Sequence, residues 1–328
     1  MSVPSKENIR LTKKDLRQLH VSTSLYRWFL RYFPDGGTYS AIHSELIKQR
    51  RTQWIESLIQ YIYLRHFSET SFAKQEQEVM ENILFLLGDE QQQGVTLQRL
   101  PYHNTLPTSE NIQFSTEWHQ LILKSQQLST DLALCGNNNI VAFSGDENSI
   151  ANTGYSNQLM MTGFAGKIAN SGNQCRIGSL GGRSRISNSG NDVKIYASGN
   201  GVHIANSGIR NFITASQDRA KITNTGDLAQ INVTGKNAVA ISTGDNCKIT
   251  VSGDDSICIS TGNLHQFCLG KGGSAVIAYH DGNRTRFKIF YEGEDGIEAD
   301  VRYTLDENQQ PMAEKQYSTN KKLMSNLS

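Results

Sequence analysis

Basic residues recur through the middle of this chain at a spacing that could hold an anionic partner. Lys167, Arg185, His203 and Lys221 follow one another at intervals of eighteen residues. The phosphates of a nucleic acid have the matching chemistry, and such binding depends strongly on salt. The alternative is that these side chains only keep a flat sheet soluble and block lateral association. The full set of candidate contacts is Lys167, Arg176, Arg183, Arg185, Lys194, His203, Arg219 and Lys221.

Further along the chain the same positions of the repeat become apolar. We predict an outward-facing apolar patch made of Val239, Ile241, Ile257, Ile259 and Ile277. A patch of this kind is rarely left to water. We expect the C-terminal cap or the N-terminal helices of the same chain to cover it. The alternative is the interface of a homodimer or of another partner.

Residues of catalytic type are present but poorly arranged. His265 falls at a repeat position that should face inward, which favours a core histidine. The acids from Glu292 to Asp300 stand beside Gly293 and Gly296, which indicates a solvated turn. The nine-residue period resembles that of calcium-binding repeats-in-toxin proteins, but the second glycine and the regular aspartate of their motif are missing. We therefore predict no enzyme, no metal site and no cofactor.

A nine-residue repeat must position all these side chains. Glycine occupies every ninth position from Gly136 to Gly262, with one exception at Gln217, and Ser or Thr usually precedes it. A large aliphatic residue follows most of these glycines five positions later, as at Ile168. Each unit is typical of one short strand and a turn, in which Ser/Thr-Gly supplies the turn and glycine the positive φ.

Asparagine distinguishes alternate units. Asn152, Asn170, Asn188, Asn206 and Asn224 recur every eighteen residues at a position predicted to face inward. The true repeat is therefore eighteen residues per coil, with two strands per coil and a hydrogen-bonded asparagine ladder along one of them. The predicted fold class is α+β multi-domain: a nonapeptide-repeat β-solenoid with an α-helical N-terminal domain and a small antiparallel β cap.

The flanking segments complete the predicted organisation. A capping box at Thr12 and Asp15 opens the first helix, and the last helix of this domain ends at Gly88. A capping helix from Trp118 to Gln127 leads into the first coil. The predicted segments are an α-helical domain over 1–90, a linker and capping helix over 91–134, the β-solenoid over 135–277, a β cap over 278–311 and a disordered tail over 312–328.

Bulk composition narrows the class of protein. The formal net charge is +1, so no overall attraction to nucleic acid or membrane is implied. No run approaches the roughly 20 apolar residues of a membrane-spanning helix, and the first residues lack the apolar core of a secretory signal. Five cysteines without metal-site spacing indicate buried thiols in a reducing compartment. We predict the bacterial cytoplasm, or a host cytosol if the chain is delivered by a signal-independent route.

Two segments outside the repeat carry a resemblance. They read YFPDGGTYSAIHSELIKQRRTQWIESLI from Tyr32 and AYHDGNRTRFKIFYEGEDGIEADVRYTLDE from Ala278. Both are similar to parts of uncharacterised proteins of enterobacterial phages and prophages. The resemblance implies a mobile-element origin and expression inside the cell. It brings no activity and no functional residues to carry over.

These observations predict a non-enzymatic interaction or scaffold protein. Its partner is an unknown macromolecule, with nucleic acid or another polyanion as candidates, held by the basic residues or by the helical domain. A delivered effector or toxin with its activity in the helical domain is one alternative. A glycan-processing β-helix enzyme is the other.

Overall fold

The computed structural model describes residues 9–19, 21–49, 51–67, 69, 71–92, 111–114, 120–124, 131–306 and 308–313. In these residues an N-terminal helical domain packs on one side of a long two-sheet β-solenoid, and short antiparallel strands close its C-terminal end. The fold class is the one that the repeat predicts.

The helical domain combines helices with a short two-stranded sheet. Its elements are β1 (Arg10–Leu11), α1 (Lys13–Gln18), α2 (Thr23–Tyr32), β2 (Gly37–Thr38), α3 (Tyr39–Lys48), α4 (Thr52–His66) and α5 (Phe72–Gln92). The predicted capping box is confirmed, since the Thr12 N–H donates to Asp15 Oδ2 at 2.8 Å and Thr12 Oγ1 accepts from Lys14 N at 3.2 Å. The predicted end at Gly88 is wrong, because one isolated glycine costs a helix only about 1 kcal/mol. Of the helices described, none has both the length and the apolar composition to cross a bilayer.

Two parallel sheets form the solenoid. Sheet I contains β3 (Asn111–Phe114), β5 (Asp131–Leu134), β7 (Ser149–Asn152), β9 (Lys167–Asn170), β11 (Arg185–Asn188), β13 (His203–Asn206), β15 (Lys221–Asn224), β17 (Val239–Ser242), β19 (Ile257–Ser260) and β21 (Ser274–His280). Sheet II contains β4 (Gln120–Lys124), β6 (Ile140–Ser144), β8 (Gln158–Met161), β10 (Arg176–Ser179), β12 (Lys194–Ala197), β14 (Phe212–Ala215), β16 (Gln230–Val233), β18 (Cys247–Val251) and β20 (Leu264–Leu269). Ile168, Ile186 and Ile204 pair in register from coil to coil and are buried in the shared core.

The solenoid begins before the predicted boundary at residue 135. Strands β3 and β4 already pair in parallel with β5 and β6. The predicted capping helix from Trp118 to Gln127 is therefore wrong, because Gln120–Lys124 is a strand of sheet II. A short apolar run of this kind is compatible with a helix or with a strand. Here it forms a strand, because its backbone hydrogen-bonds to β6.

Antiparallel strands close the C-terminal end, as predicted. β22 (Thr285–Tyr291) pairs with β21, while β23 (Arg302–Leu305) and β24 (Pro311–Ala313) extend sheet II. Ile297 covers the end of the core and is 1% exposed. The first two residues of the predicted tail belong to β24, and the rest of that tail lies outside the described residues.

Close contact between coils explains the glycine column. A Cβ at Gly190 would lie 2.0 Å from the carbonyl oxygen of Gly172, one coil earlier. In most turns the positive φ occurs two residues later, as at Asp192 (φ 57) and Arg210 (φ 58), and Gly145 (φ 121) is the one described glycine of the column with a positive φ of its own. The expectation that these glycines supply the positive φ is therefore wrong for the rest of the column. They are required because a side chain would separate successive coils.

The asparagine ladder lies inside the solenoid, as predicted. Asn170 donates to Asn188 Oδ1 at 2.7 Å, and Asn188 donates to Asn206 Oδ1 at 2.7 Å. Each amide also donates to the turn, as Asn188 does to the carbonyl of Gly190 at 2.9 Å. The ladder therefore ties each strand of sheet I to its own turn and to the next coil, and it satisfies polar groups that are buried.

We predict that Asn188→Ala lowers the free energy of unfolding by about 3 kcal/mol, since it removes the buried hydrogen bonds to Asn170, Asn206 and Gly190 and leaves an Asn170 N–H without its acceptor. The measurement is chemical denaturation. The control is Ser187→Ala, an exposed position on the same strand, where we expect a change within about 0.5 kcal/mol. Equal losses for the two variants would contradict a stabilising role for the ladder.

Candidate functional site

The helical domain packs on sheet II and buries two of the basic residues that were predicted to contact a partner. Arg176 and Lys194 are each 1% exposed. The prediction that they bind an anionic partner at the surface is therefore wrong. A signal for this cover was present in the sequence. The outward positions of sheet II include Met160, Tyr196 and Phe212, which belong to the core cluster of the helical domain.

Arg176 is held by the helical domain through a buried polar network. Its Nη2 and Nε donate to Glu76 Oε1 at 2.6 and 3.0 Å. Nη2 also donates to the hydroxyl of Tyr39 at 3.0 Å, and Nη1 lies 2.8 Å from His43 Nε2. The Tyr63 hydroxyl donates to the same carboxylate oxygen at 2.6 Å. Because the side chains of Arg176 and Glu76 are 1% and 0% exposed, the pair is a fixed part of the domain interface.

The protonation states in this network follow from burial. Burial lowers the pKa of His43 well below its ordinary value, and the charge of Arg176 lowers it further. The imidazole is therefore neutral, and its Nε2 accepts the hydrogen bond from Arg176. Burial alone would lower the pKa of Arg176, but the charge and hydrogen bond of Glu76 and the neighbouring Tyr39 and Tyr63 together outweigh it, and the pKa rises. Burial and Glu76 both raise the pKa of Tyr63, so its hydroxyl stays a donor.

Aromatic packing completes the interface on sheet II. Phe212 lies against Phe67 and Tyr63, with ring centroids 5.0 and 5.5 Å apart. The Asn232 amide donates to the carbonyl of Phe67 at 3.1 Å. Sheet II is thus the covered face of the solenoid, and sheet I is the face on which an external partner can lie.

The predicted basic column is confirmed on sheet I. Lys167, Arg185, His203 and Lys221 pair in register from coil to coil, and all four are exposed. Neighbouring charges therefore stand about 4.8 Å apart, which is the spacing of adjacent strands. Like charges directly opposite each other in a sheet are destabilising. The column costs the isolated protein free energy that a bound anion would recover.

A cleft forms where turn residues meet this column. Arg183 and Arg219 reach it from turns two coils apart, and Gly182 and Gly201 leave the space between them free of side chains. The guanidinium of Arg183 lies 5.5 Å from the centre of the Phe164 ring, which forms one end of the cleft. The lining residues enclose about 540 Å³ and also include Arg185, Asn200, His203 and Lys221. We call these residues the cationic cleft.

The cations of the cleft have no acidic partner among the described residues. Elsewhere in the solenoid, turn cations are neutralised by an acid one coil away. Arg210 forms an ion pair with Asp192 at 2.7 Å, and Lys236 forms one with Asp254 at 2.8 Å. In the described part of the chain, no ion pair involves Arg183, Arg185, Arg219, Lys221 or His203. The positive potential of the cleft is therefore left for an external anion.

A shallow groove runs beside the basic column on the same face of sheet I. Its floor is made of small outward residues, such as Ala169, Ser187 and Ala205, and of turn hydroxyls, such as Ser189 and Ser207. It encloses about 480 Å³. Because these side chains are short, a linear partner could lie close to the backbone while its charges reach the cations alongside.

The predicted apolar patch is present on sheet I, with one error of register. Val239, Ile241 and Ile259 are half-buried, and Ile257 is 38% exposed. Ile277, however, is 1% exposed and lies inside the core. The turn before β21 is one residue shorter than the period requires, so Val276 takes the outward place beside Ile259.

Among the described helices and cap strands, the expected cover over this patch is not seen. The described helices pack on sheet II, and the closing strand β22 adds to the patch instead of covering it. Ile289 pairs with Val276, and Tyr291 pairs with Ser274. Phe287, Ile289 and Tyr291 are 59%, 50% and 49% exposed. The sequence repeat could not indicate these residues, because β22 lies beyond it.

Two other predicted positions can be placed. His265 is exposed at an irregular pairing between β18 and β20, so its expected position inside the core is wrong. The acids Glu294, Asp295, Glu298 and Asp300 are exposed in the turn that follows β22, as expected. In the part of the chain that the structure describes, no three His, Cys, Asp or Glu side chains converge on a possible metal site.

We predict that Arg176→Met lowers the free energy of unfolding by about 3–5 kcal/mol, because Glu76 is left charged and unpaired in the interface. Chemical denaturation, followed by the fluorescence of Trp28 and Trp54 in the helical domain, measures the change. Arg185→Met is the matched control on the exposed sheet, and it should cost less than about 0.5 kcal/mol.

The double variant Arg176→Met with Glu76→Leu tests the pairing itself. It should lose clearly less stability than the sum of the two single variants, because no buried charge is left alone. Additive losses would contradict the assignment of this ion pair as the link between the two domains.

Known proteins resemble a limited part of this chain. Residues 1–67 match the family described as the YdhT N-terminal domain. The chain is also similar to "Uncharacterized protein YdhT" of Escherichia coli (strain K12), with 41% identity over 73 residues, which is 22% of this chain and 27% of that protein. No solved structure matches. The first 67 residues are therefore similar to the YdhT N-terminal domain, and the resemblance to an enterobacterial protein is supported over 73 residues. A phage or prophage origin stays a prediction.

Proposed function

We propose that this chain is a non-enzymatic interaction protein that binds an anionic macromolecule along sheet I. The observation that carries the proposal is the cationic cleft. Its five basic residues lie in register on adjacent coils, and no described acid pairs with them. Such a site favours repeated negative charges over a single one, because several cations lie within about 10 Å of each other along the rod.

The rigidity of the solenoid supports this function. The cations stand on strands whose backbones are hydrogen-bonded on both sides, so their spacing exists before the partner arrives. A preorganised site loses less conformational entropy on binding than a flexible one. The groove of small residues beside the column lets a linear partner run parallel to the rod and meet several coils in succession.

The packing of the helical domain supports the choice of sheet. Arg176 and Lys194 carry the same type of charge as the cleft, but their side of the solenoid is occupied by helices. The remaining predicted contacts, on sheet I, face away from that interface. A polyanion such as nucleic acid would therefore bind without displacing the helical domain.

We predict that the full chain binds a labelled DNA duplex and heparin, and that the affinity falls steeply with salt. Neutralising Arg183 and Arg185 together, as Arg183→Gln with Arg185→Gln, should weaken binding about tenfold or more and reduce the salt slope by about two units, one for each lost phosphate contact. Fluorescence anisotropy across a salt series measures both quantities.

The matched control neutralises two cations that already have acidic partners, as Arg210→Gln with Lys236→Gln. It changes the net charge by the same amount and should leave the affinity within about twofold, because these side chains are screened by Asp192 and Asp254. Binding that ignores ionic strength, or equal losses for both double variants, would overturn the proposal.

A further inference from the structure

We infer that two copies of this chain form an antiparallel dimer through the apolar patch at the C-terminal end of sheet I. This goes beyond the proposed function and does not rest on it. In the structure this patch lacks the buried Ile277 and gains residues of β21 and β22. It consists of Val239, Ile241, Ile257, Ile259, Val276, Phe287, Ile289 and Tyr291. We call these residues the terminal patch.

The terminal patch is a continuous flat surface. Its central row consists of Ile241, Ile259, Val276 and Ile289, which pair directly from strand to strand. Four strands span about 19 Å across the sheet. With the flanking side chains, the patch is on the order of the roughly 300–600 Å² of the largest apolar patch on a typical monomer, which is often functional.

The residues of the closing strand β22 indicate that a partner covers the patch. An end strand exposed to water is usually protected by charged or short side chains. On β22, however, three large apolar side chains face outward, and Phe287 is the most exposed of them at 59%. The regular solenoid alternates small and charged residues at the equivalent positions of β9 to β15. The change of residue type is confined to the last strands.

The charge pattern identifies a second copy of this chain as the partner. The sheet I face is basic on the N-terminal side of the patch, at Lys221, His203 and Arg185. Beyond its C-terminal side, residues 291–301 contain five acids and no Lys or Arg. A surface with an apolar centre, one basic end and one acidic end is complementary to itself when it is turned end for end.

Symmetry then decides between two ways of packing the faces. With the twofold axis along the rod, the basic columns of both copies would face each other over their whole length, which is unfavourable. With the axis along the strands, each rod runs opposite to the other. A twofold rotation about an axis at the middle of the patch, between β19 and β21, places β15 of one copy opposite the position just beyond β22 of the other. Lys221 then faces the acidic turn of the second copy, while Arg183 and Arg185 stay free.

The area predicts a dimer that dissociates on dilution. Two faces of this size, together with the charged contacts at both ends, bury an area near the lower limit of about 1,200 Å² for specific interfaces. Sedimentation velocity of the full chain between about 1 and 100 μM, which spans the micromolar affinities of weak interfaces, should show a shift from monomer to dimer. A monomer throughout this range would overturn the inference.

The test of the surface is Ile289→Asp, which places a carboxylate against β17 of the second copy, at Ile241. The side chain is 50% exposed in the single chain, so the fold should tolerate it. We expect the dissociation constant to rise about tenfold or more, because an unpaired charge is desolvated against an apolar surface. The control is Leu228→Asp, a turn residue outside the patch that is 47% exposed, and dimerisation should not change. Equal effects of the two variants would overturn the inference.

The orientation is tested by a distance between spin labels at Ser187→Cys, on the outward side of β11. Cys135 is exposed and is replaced by Ser, while Cys175, Cys247, Cys258 and Cys268 are buried. In the antiparallel dimer the two labels lie about 45 Å apart, nine strand spacings. Parallel rods would bring them within about 15 Å, and end-to-end pairing of β22 strands would separate them by about 60 Å. Either of these distances would overturn the antiparallel arrangement.

Discussion

The distance between successive coils is the constraint on which the whole structure depends. Adjacent strands must lie one strand spacing apart at every residue of the coil, including the turns. At Gly190 the chain passes so close to the carbonyl of Gly172 that even one methyl group would collide with it. Inside, the asparagine amides bridge from coil to coil at 2.6–2.7 Å. The missing Cβ of glycine allows the turns of adjacent coils to lie this close, and the asparagine ladder stabilises the stack from inside. Every outward side chain inherits its spacing from this contact.

A single buried ion pair then makes the two sheets different. Arg176 occupies on sheet II the repeat position that Lys167 and Arg185 occupy on sheet I. Its charge, however, is neutralised by the ion pair with Glu76. Burying two charges is costly unless both are fully hydrogen-bonded, and Tyr39, Tyr63 and His43 supply the remaining contacts. The network therefore favours one position for the helical domain. It leaves sheet I as the face available for binding.

The periodic part of the fold could be predicted because each of its residues pairs with residues eighteen positions away in the neighbouring coils. Asn188 and Arg185 lie where the repeat places them. The errors fall where a non-repeating contact decides. Lys194 was expected at the surface because its helical cover lies more than a hundred residues away in the chain. Ile277 and His265 were misplaced because one turn is a residue short and one strand pairing is irregular. A strict count of nine cannot detect either change.

The division of sheet I into two zones follows from the same geometry. Along one rod, the outward position that carries Lys221 on β15 carries Val239 on β17, one strand away. In a regular solenoid each coil contacts only the next one. The type of outward residue on one coil therefore does not restrict the type on coils further along. Charge and apolar surface can therefore be placed independently on one rigid face. In the proposed dimer the apolar zones overlap at the centre, and the cationic clefts of the two copies point away from each other at opposite ends. A long polyanion could then meet two clefts on one particle, and the gain would come from effective concentration without any new contact.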